Sequence, residues 1–267
     1  MNARLDPALR HTNEPPSCAF VLMAKAPRAG MVKTRLQPLL SSEEAAAISR
    51  CFIRDMAENV AELFGDRRNL GVVAFAPAGE ESAFAGLLPA EFYLLPQRGR
   101  DLGERLLHVA EDVFAAGIGM VCLLNSDSPT LPCAFLRDAA ALLRATGDRV
   151  VFGEAEDGGY YLVGLKKLHR HLFHDIEWST ERVLAQSIER AREIGLEVAR
   201  LPAWYDVDDA ASLLRLHREI VDVAQAPGSG TAGYAAPHSA RLLRSLAIHN
   251  RNLTPLPAGD SAEIGAT

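Results

Sequence analysis

The sequence lacks most of what marks a secreted, membrane-spanning or nucleic-acid-binding chain. Its 267 residues hold four cysteines, Cys18, Cys51, Cys122 and Cys133, with no C-x-x-C pair and no histidine at metal-ligand spacing. A disulfide framework and a thiolate metal centre are thereby excluded, and the thiols read as buried groups of a reducing cytoplasm. Excess positive charge is missing too: 28 Lys and Arg stand against 34 Asp and Glu, a formal charge of −6. Nucleic acid is grasped through clustered cations on its phosphates, so no such partner is expected and any phosphate site must be local. No apolar run approaches the roughly 20 residues that span a bilayer, and MNARLDPALRHTNEPPS has no continuous apolar core of a leader. A cytoplasmic protein with no membrane partner is the expectation. His108, His169, His171, His174 and His217 are dispersed and form no recognisable ligand set. There is no internal repeat and no interior linker, so one domain is expected.

What the chain does have is alternation. CAFVLMA (18–24) is a short apolar run of the kind that fills a buried parallel strand. SSEEAAAISRCFIRDMAENVAELFG follows as a helix, with Ser41 and Glu44 in a capping-box pattern and Ile48, Phe52, Met56, Val60 and Leu63 at helical spacing. LGVVAFA, EFYLLP, GMVCLLN and LEVARLP read as further strands; DLGERLLHVAEDVFAAG, LPCAFLRDAAALLRA, WSTERVLAQSIERAREIG and DDAASLLRLHREIVD read as helices. DRVVFGEAEDGGYYLVGL reads as two extended segments joined through Asp157-Gly158-Gly159. Strands separated by helices imply a mostly parallel α/β sheet with flanking helices. Residues 1–17 are polar and expected to be disordered, residues 18–222 form the domain, and residues 223–267 are expected to be a flexible, dispensable tail with a short helix at 240–248.

Four segments can carry chemistry. In MAKAPRAGMVKTRL, a loop after the first strand, Lys25, Arg28, Lys33 and Arg35 can neutralise phosphate, Gly30 lets backbone amides approach it, and Thr34 offers a hydroxyl. Ligands of open parallel sheets sit beyond the carboxyl ends of strands, where this loop lies; a solvated basic loop is the plainer alternative. In LLNSDSPTLP an apolar strand delivers Asp127, which suits Mg²⁺ or, more simply, a helix cap. In EAEDGGYYLVG, Asp157 can take a proton while Gly158, Gly159 and Tyr160 line an acceptor; a tight acidic turn is the other reading. In WYDVDDAASL, Asp206, Asp208 and Asp209 cluster; Asp209 or Asp208 is expected to cap the helix, and the others can complete a metal site with Asp127. QRGRDLGERL carries the weaker candidates Gln97, Asp101 and Gly103, for base or ribose contact or for a capped helix start.

In their order, AKAPRAGMVKTRL, QRGRDLGERL, NSDSPTLP, AEDGGYYLVGL, EWSTERVL and YDVDD resemble the bacterial radical-SAM/selenodomain-associated transferase family over roughly residues 18–222. More distantly, the basic loop, the strand-end Asp and the D-V-D segment are similar to 2-phospholactate and molybdenum-cofactor guanylyltransferases. The resemblance implies the nucleotide-diphospho-sugar transferase (glycosyltransferase A) fold and a Mg²⁺- or Mn²⁺-dependent transferase using a nucleotide or nucleotide-sugar donor and a small-molecule acceptor. It implies that Lys25, Lys33 and Arg35 contact phosphates, that Asp127 and Asp208 belong to the metal site, and that Asp157 to Tyr160 line the acceptor. Two departures stand out: N-S-D-S-P stands where many relatives have G-S-D-x-P, so that Asn125 is expected to narrow the pocket slightly, and a long tail follows the D-V-D helix. Three functions follow as expectations. Glycosyl transfer is favoured, with Asp157 as base and Lys33 and Arg35 in the catalytic loop; nucleotidyl transfer with pyrophosphate release is the alternative; a non-catalytic nucleotide-binding module is the third.

Overall fold

A computed structural model describes residues 2–8, 18–65, 69–221 and 232–249. Seven strands, β1 (Cys18–Lys25), β2 (Asn69–Ala76), β3 (Tyr93–Pro96), β4 (Val121–Asn125), β5 (Arg149–Ala155), β6 (Tyr160–Leu165) and β7 (Glu197–Trp204), form one sheet in the order β3-β2-β1-β4-β6-β5-β7. Neighbours pair in parallel except around β6, which runs antiparallel to both β4 and β5. β1 lies inside the sheet between β2 and β4, and its run CAFVLMA is apolar throughout because both of its faces are covered.

Alternate residues of β1 enter opposite cores, the period-two signature of a strand. Cys18, Phe20 and Leu22 pack with Ile53, Met56 and Val60 of α1 (Ser42–Ala61) and with Phe135, Leu136 and Leu143 of α3 (Cys133–Arg144). Ala19 and Val21 pack on the other face with Leu106, Val109 and Val113 of α2 (Leu102–Ala115) and with Ala191 of α4 (Val183–Glu193). α1 starts at the capping box that its sequence predicts, Ser41 accepting from the Glu44 amide while Glu44 accepts from the Ser41 amide. α5 (Ala210–Ile220) starts at Asp209, whose carboxylate accepts from the Ser212 amide at 2.8 Å.

The ends of the chain differ from their composition. In the segment expected to be disordered, Leu5 is buried and Arg4 bridges Leu94 of the edge strand β3, with the Leu5 amide bonded to the Leu94 carbonyl at 2.9 Å. The Leu5 side chain, the Asn2 side-chain amide donating to the Pro89 and Phe92 carbonyls, and these backbone bonds anchor the segment where the edge of the sheet offers unpaired backbone groups; residues 1 and 9–17 of that expectation lie outside the described residues. At the other end, α6 (Pro237–His249) is no loose appendage. Ala236, Ala240 and Leu243 are buried with Ile48 and Phe52 of α1, Leu213 and Leu216 of α5, and Leu36 in a third core cluster. The linker part of the expected tail, 223–231, and its last residues, 250–267, lie outside the described residues, as does residue 222 at the end of the expected domain. Among the described residues no helix is long and apolar enough to cross a membrane.

Candidate active site

Beyond the carboxyl ends of β1 and β4 lies a cleft of about 700 Å³. Three elements bring carboxylates to it. The end of β4 delivers Asp127, the β5–β6 turn delivers Asp157, and the stretch between β7 and α5 delivers Asp206 and Asp208. The Val207 amide donates to the Asp127 carbonyl at 2.8 Å, so the backbone itself joins the two segments that carry Asp127 and Asp208. Asp209 is spent on capping α5, whereas Asp127 caps nothing, since α3 begins only at Cys133 behind Pro132. Asn125 lines the cleft beside Asp127 and accepts from the Asp127 amide at 3.3 Å.

Lys33 dominates the electrostatics. Its Nζ lies 2.8 Å from Asp127 Oδ1, 2.8 Å from Asp208 Oδ1 and 2.7 Å from the Val207 carbonyl oxygen. The side chain is 7% exposed and sits 5.5 Å from the centre of the Phe52 ring. Burial alone would lower the ammonium's pKa, but the facing Asp127 and Asp208 carboxylates outweigh it and raise the value above that of an ordinary lysine. Asp206 shows the opposite imbalance: burial, then the carboxylates of Asp208, Asp157 and Asp127, push it up to about 7. One buried cation thus serves two carboxylates, while Asp206 beside them has no cation of its own among the described residues and is pushed toward its protonated form.

Of the residues proposed for phosphate, Lys25, Lys33, Thr34 and Arg35 line the cleft. Lys33 is turned to carboxylates, however, and not toward open space. Lys25 and Arg35 are exposed and form no ion pair among the described residues. Gln97 also lines the cleft, but its amide nitrogen bonds the carbonyls of Ala74 at 2.6 Å and Ala24 at 3.3 Å, fastening the ends of β1 and β2. The others do not line the cleft. Arg28 pairs with Glu80, and Gly30 sits at φ 75° in the turn before Lys33. Asp101 caps α2 by accepting from the Glu104 amide at 2.9 Å, and Gly103 lies against the indole of Trp178.

Among the acceptor candidates Asp157, Gly159 and Tyr160 line the cleft, and Gly158 does not. Asp157 Oδ1 accepts from the Gly159 amide at 2.9 Å, which fixes the turn. Gly158, at φ 88°, leaves room for chain and not for ligand: a Cβ there would stand 2.2 Å from the Glu181 carbonyl oxygen. The turn is thereby packed against the lead into α4, and the Leu184 amide donates to the Gly158 carbonyl at 3.0 Å. Arg105 on α2, and Trp178 with Ser179 and Thr180 before α4, complete the far wall. The sequence singled out none of these four as ligand groups, although DLGERL and EWSTERVL contain them; a single Arg or Trp has no periodic mark that separates a cleft wall from a surface.

The donor set for a metal can be tested on this geometry. Oxygens from Asp127, Asp208 and Val207 converge on one point, the kind of hard-oxygen set that Mg²⁺ or Mn²⁺ takes, but Lys33 Nζ stands at that point. Among the described residues no three acidic, histidine or cysteine side chains are grouped to hold a metal, so Asp206 does not close a carboxylate triad with the other two.

Residues 60–180 match the family model described as "Uncharacterized protein conserved in bacteria (DUF2064)". A crystal structure from Desulfovibrio desulfuricans G20, assigned as a nucleotide-diphospho-sugar transferase, is 30% identical and superposes with a TM-score of 0.75 over 89% of this chain and 98% of that one. This chain belongs to the same family as the Desulfovibrio protein. The fold recurs at lower identity in CMP:2-keto-3-deoxy-manno-octonic acid synthetase complexed with CTP, at 12% identity and a TM-score of 0.51 over 75% of this chain and 96% of that one. It recurs again in a cytidylyltransferase from Leptospira borgpetersenii serovar Hardjo-bovis, at 10% identity and a TM-score of 0.51 over 90% and 98%. Among curated proteins none matches the chain. The fold is therefore the one shared with the Desulfovibrio protein, a mostly parallel sheet with flanking helices.

Proposed function

We propose that the protein is a transferase that draws on a nucleotide-activated donor, and that it moves a glycosyl group from a nucleoside-diphosphate sugar to a small-molecule acceptor. One observation carries this reading. A single cleft at the carboxyl end of the sheet sets uncommitted cations, Lys25 and Arg35, beside a convergent carboxylate pair, Asp127 and Asp208, with Asp157 on the opposite β5–β6 turn. A diphosphate needs both kinds of group: cations for its oxygens, and acidic ligands for the divalent ion that accompanies it.

In this reading Lys25 and Arg35 orient the donor phosphates, with the Thr34 hydroxyl beside them. Asp127 and Asp208, with the Val207 carbonyl, would hold Mg²⁺ or Mn²⁺. Such an ion, when bound, stabilises the negative charge that gathers on a departing diphosphate. Asp157 is exposed at the turn and fixed by the Gly159 amide, so one of its oxygens is held while the other remains able to accept the acceptor's hydroxyl proton. Trp178, Tyr160 and Leu102 give the cleft an apolar wall, and Arg105 adds a cation to it.

Arg105 also favours a second reading. A third cation in the cleft suits a triphosphate, with a phosphorylated acceptor attacking the α-phosphorus and pyrophosphate leaving; no base is needed, because a phosphate nucleophile is already ionised. The Desulfovibrio relative is named for nucleotide-diphospho-sugar transfer, while of the two fold neighbours one is a synthetase complexed with CTP and the other is named a cytidylyltransferase. Product analysis separates the two. Incubation with nucleotide sugars and candidate acceptors in Mn²⁺ is expected to release a nucleoside diphosphate and no pyrophosphate. Stoichiometric pyrophosphate from a triphosphate, with nucleotide sugars left intact, would replace glycosyl by nucleotidyl transfer. Asp127→Asn is expected to abolish either reaction.

A further inference from the structure

Lys33 stands in the place where a metal would be held, and its contacts are saturated. An ammonium has three N–H donors and no acceptor. Here the three acceptors are Asp127 Oδ1, Asp208 Oδ1 and the Val207 carbonyl, at 2.8, 2.8 and 2.7 Å. Lys33 therefore cannot donate to a phosphate while these contacts last, and no divalent ion can share the point they define. We infer that the Lys33 ammonium and a divalent metal are alternative occupants of the Asp127–Asp208 pair, and that an anionic ligand in the cleft drives the exchange by drawing Lys33 off. The inference rests on the reading of the cleft as a site for a phosphate-bearing donor.

Three features make Lys33 an exchangeable occupant and not a fixed one. First, the two carboxylates it serves are open to the cleft: their side chains are 33% and 46% exposed, so a hydrated cation can reach them from the solvent side while the ammonium lies behind at 7%. Second, Lys33 holds a left-handed backbone, φ 51° and ψ 36°, at the head of the 3-10 turn Thr34–Leu36. A residue with a Cβ enters that region at a cost, and here the three contacts compensate for it; losing them removes the reason to stay. Third, the end of β1 and the turn after Lys33 present Lys25, Thr34 and Arg35 to the cleft. An anion bound by these groups sits within reach of a four-carbon lysine stem, whose compact charge is free to turn toward it. Two like charges do not crowd one carboxylate pair at any stage: before binding the pair faces the ammonium, after binding it faces the metal, and the ammonium follows the anion.

The exchange predicts that metal and anion bind cooperatively and that Lys33 is the cause. Equilibrium dialysis of the full chain against Mn²⁺, with and without inorganic pyrophosphate, measures it without turnover. The wild type is expected to take up Mn²⁺ weakly alone and about tenfold or more tightly with pyrophosphate, a usual span for coupled ligands. Lys33→Gln, checked for folding by its melting curve, is expected to take up Mn²⁺ alone about as tightly as the wild type does with pyrophosphate, with little further gain from the anion. Asp208→Asn is expected to lose the pyrophosphate-enhanced uptake. Equal uptake by the wild type with and without pyrophosphate overturns the exchange, whether or not Lys33→Gln folds, and so does a folded Lys33→Gln whose uptake matches the wild type in both conditions. If the donor reading fails instead, it fails in product analysis, where no nucleotide donor is consumed; the dialysis result stands apart from it.

Discussion

Asp55 on α1 caps α6 from 184 residues away in sequence: its carboxylate accepts from the Ser239 amide at 2.8 Å and the Ser239 hydroxyl at 2.5 Å, and also from the His238 amide at 2.9 Å. The first amides of a helix have no partner within it, and here a buried side chain of another helix supplies one. Glu58, one turn further along α1, bonds His238 Nε2 at 2.9 Å. The C-terminal helix is thus fastened at its start as well as along its apolar face. The prediction is a loss of stability, against the dispensability that composition suggests. A chain ending at Ala226 is expected to melt at least about 5 °C lower, and Asp55→Ala to cost about 2 to 4 kcal/mol in urea unfolding. Cys51 gives a second readout. It packs on the cluster that α6 completes, and burial, with Asp55 adding to it, pushes its thiol up to about 11. It is expected to resist alkylation at pH 8 in the full chain and to react in the shortened one. An unchanged melting point together with an unreactive Cys51 in the shortened chain would show that α6 is not needed to cover α1.

Gly158 is the next test, because its reading changes with the structure. Alanine there meets the Glu181 carbonyl at 2.2 Å and must hold φ 88°. Strain and overlap act together, so Gly158→Ala is expected to cost more than the roughly 1 kcal/mol usual for a left-handed position, with a lower melting temperature and a detached lead into α4. Amide exchange at Leu184, whose N–H donates to the Gly158 carbonyl, is expected to quicken. A variant as stable as the wild type with Leu184 still protected would mean that the hairpin and the α4 lead are not coupled.

These residues show what a sequence can and cannot carry. The strand runs and the Ser41–Glu44 box are local patterns, and periodicity gives the elements and a mostly parallel sheet, but not the strand order or the antiparallel β6. Asp127, at the end of an apolar run, is brought to the cleft by the same logic. What stays hidden is whatever depends on a distant partner. A glycine signals close approach but not by what: at Gly158 it is Glu181, at Gly103 it is Trp178. Lys33 sits in a basic loop whose spacing suggests phosphate, yet the path of its side chain is set by Val207 and Asp208, 174 and 175 positions later. Asp55 has the appearance of an ordinary polar position within a helix. Its buried partners lie beyond a Pro/Gly-rich stretch whose composition argues for no partner at all.

Lys25 and Arg35 are expected to act on anions directly, since neither is committed to an ion pair among the described residues. Each charge-assisted hydrogen bond contributes about 1.5 to 3 kcal/mol, so Lys25→Ala and Arg35→Ala should each weaken pyrophosphate binding about ten- to a hundredfold in calorimetry. Both side chains are exposed, and their removal should leave the melting temperature within about 2 °C. Arg28→Ala serves as the contrast: its guanidinium pairs with Glu80 outside the cleft, and binding is expected to stay as it was. Equal losses in all three would reduce the effect to net charge.

The last prediction concerns a residue that touches no ligand. Gly103 lies on the first turn of α2, and a Cβ built there would stand 2.4 Å from Trp178 Nε1 and 2.7 Å from the adjoining ring carbon. Replacing a helical glycine by alanine ordinarily stabilises by about 0.5 to 1 kcal/mol, because the unfolded chain loses freedom. Here that gain is opposed by an indole that must move, and the indole lines the cleft together with Tyr160 and Arg105. Movement away from α2 carries the ring into the space that the acceptor would fill. Gly103→Ala is therefore expected to give no gain in melting temperature, a shifted tryptophan emission, and a transfer rate about tenfold or more lower, in keeping with the sensitivity of transfer to misplacements near an ångström. The loss should appear chiefly in the acceptor's KM, with pyrophosphate binding at Lys25 and Arg35 unaltered. A more stable variant with wild-type kinetics would show instead that Trp178 can yield to alanine without entering the cleft, and the acceptor wall would then have to be sought on the Tyr160 side alone.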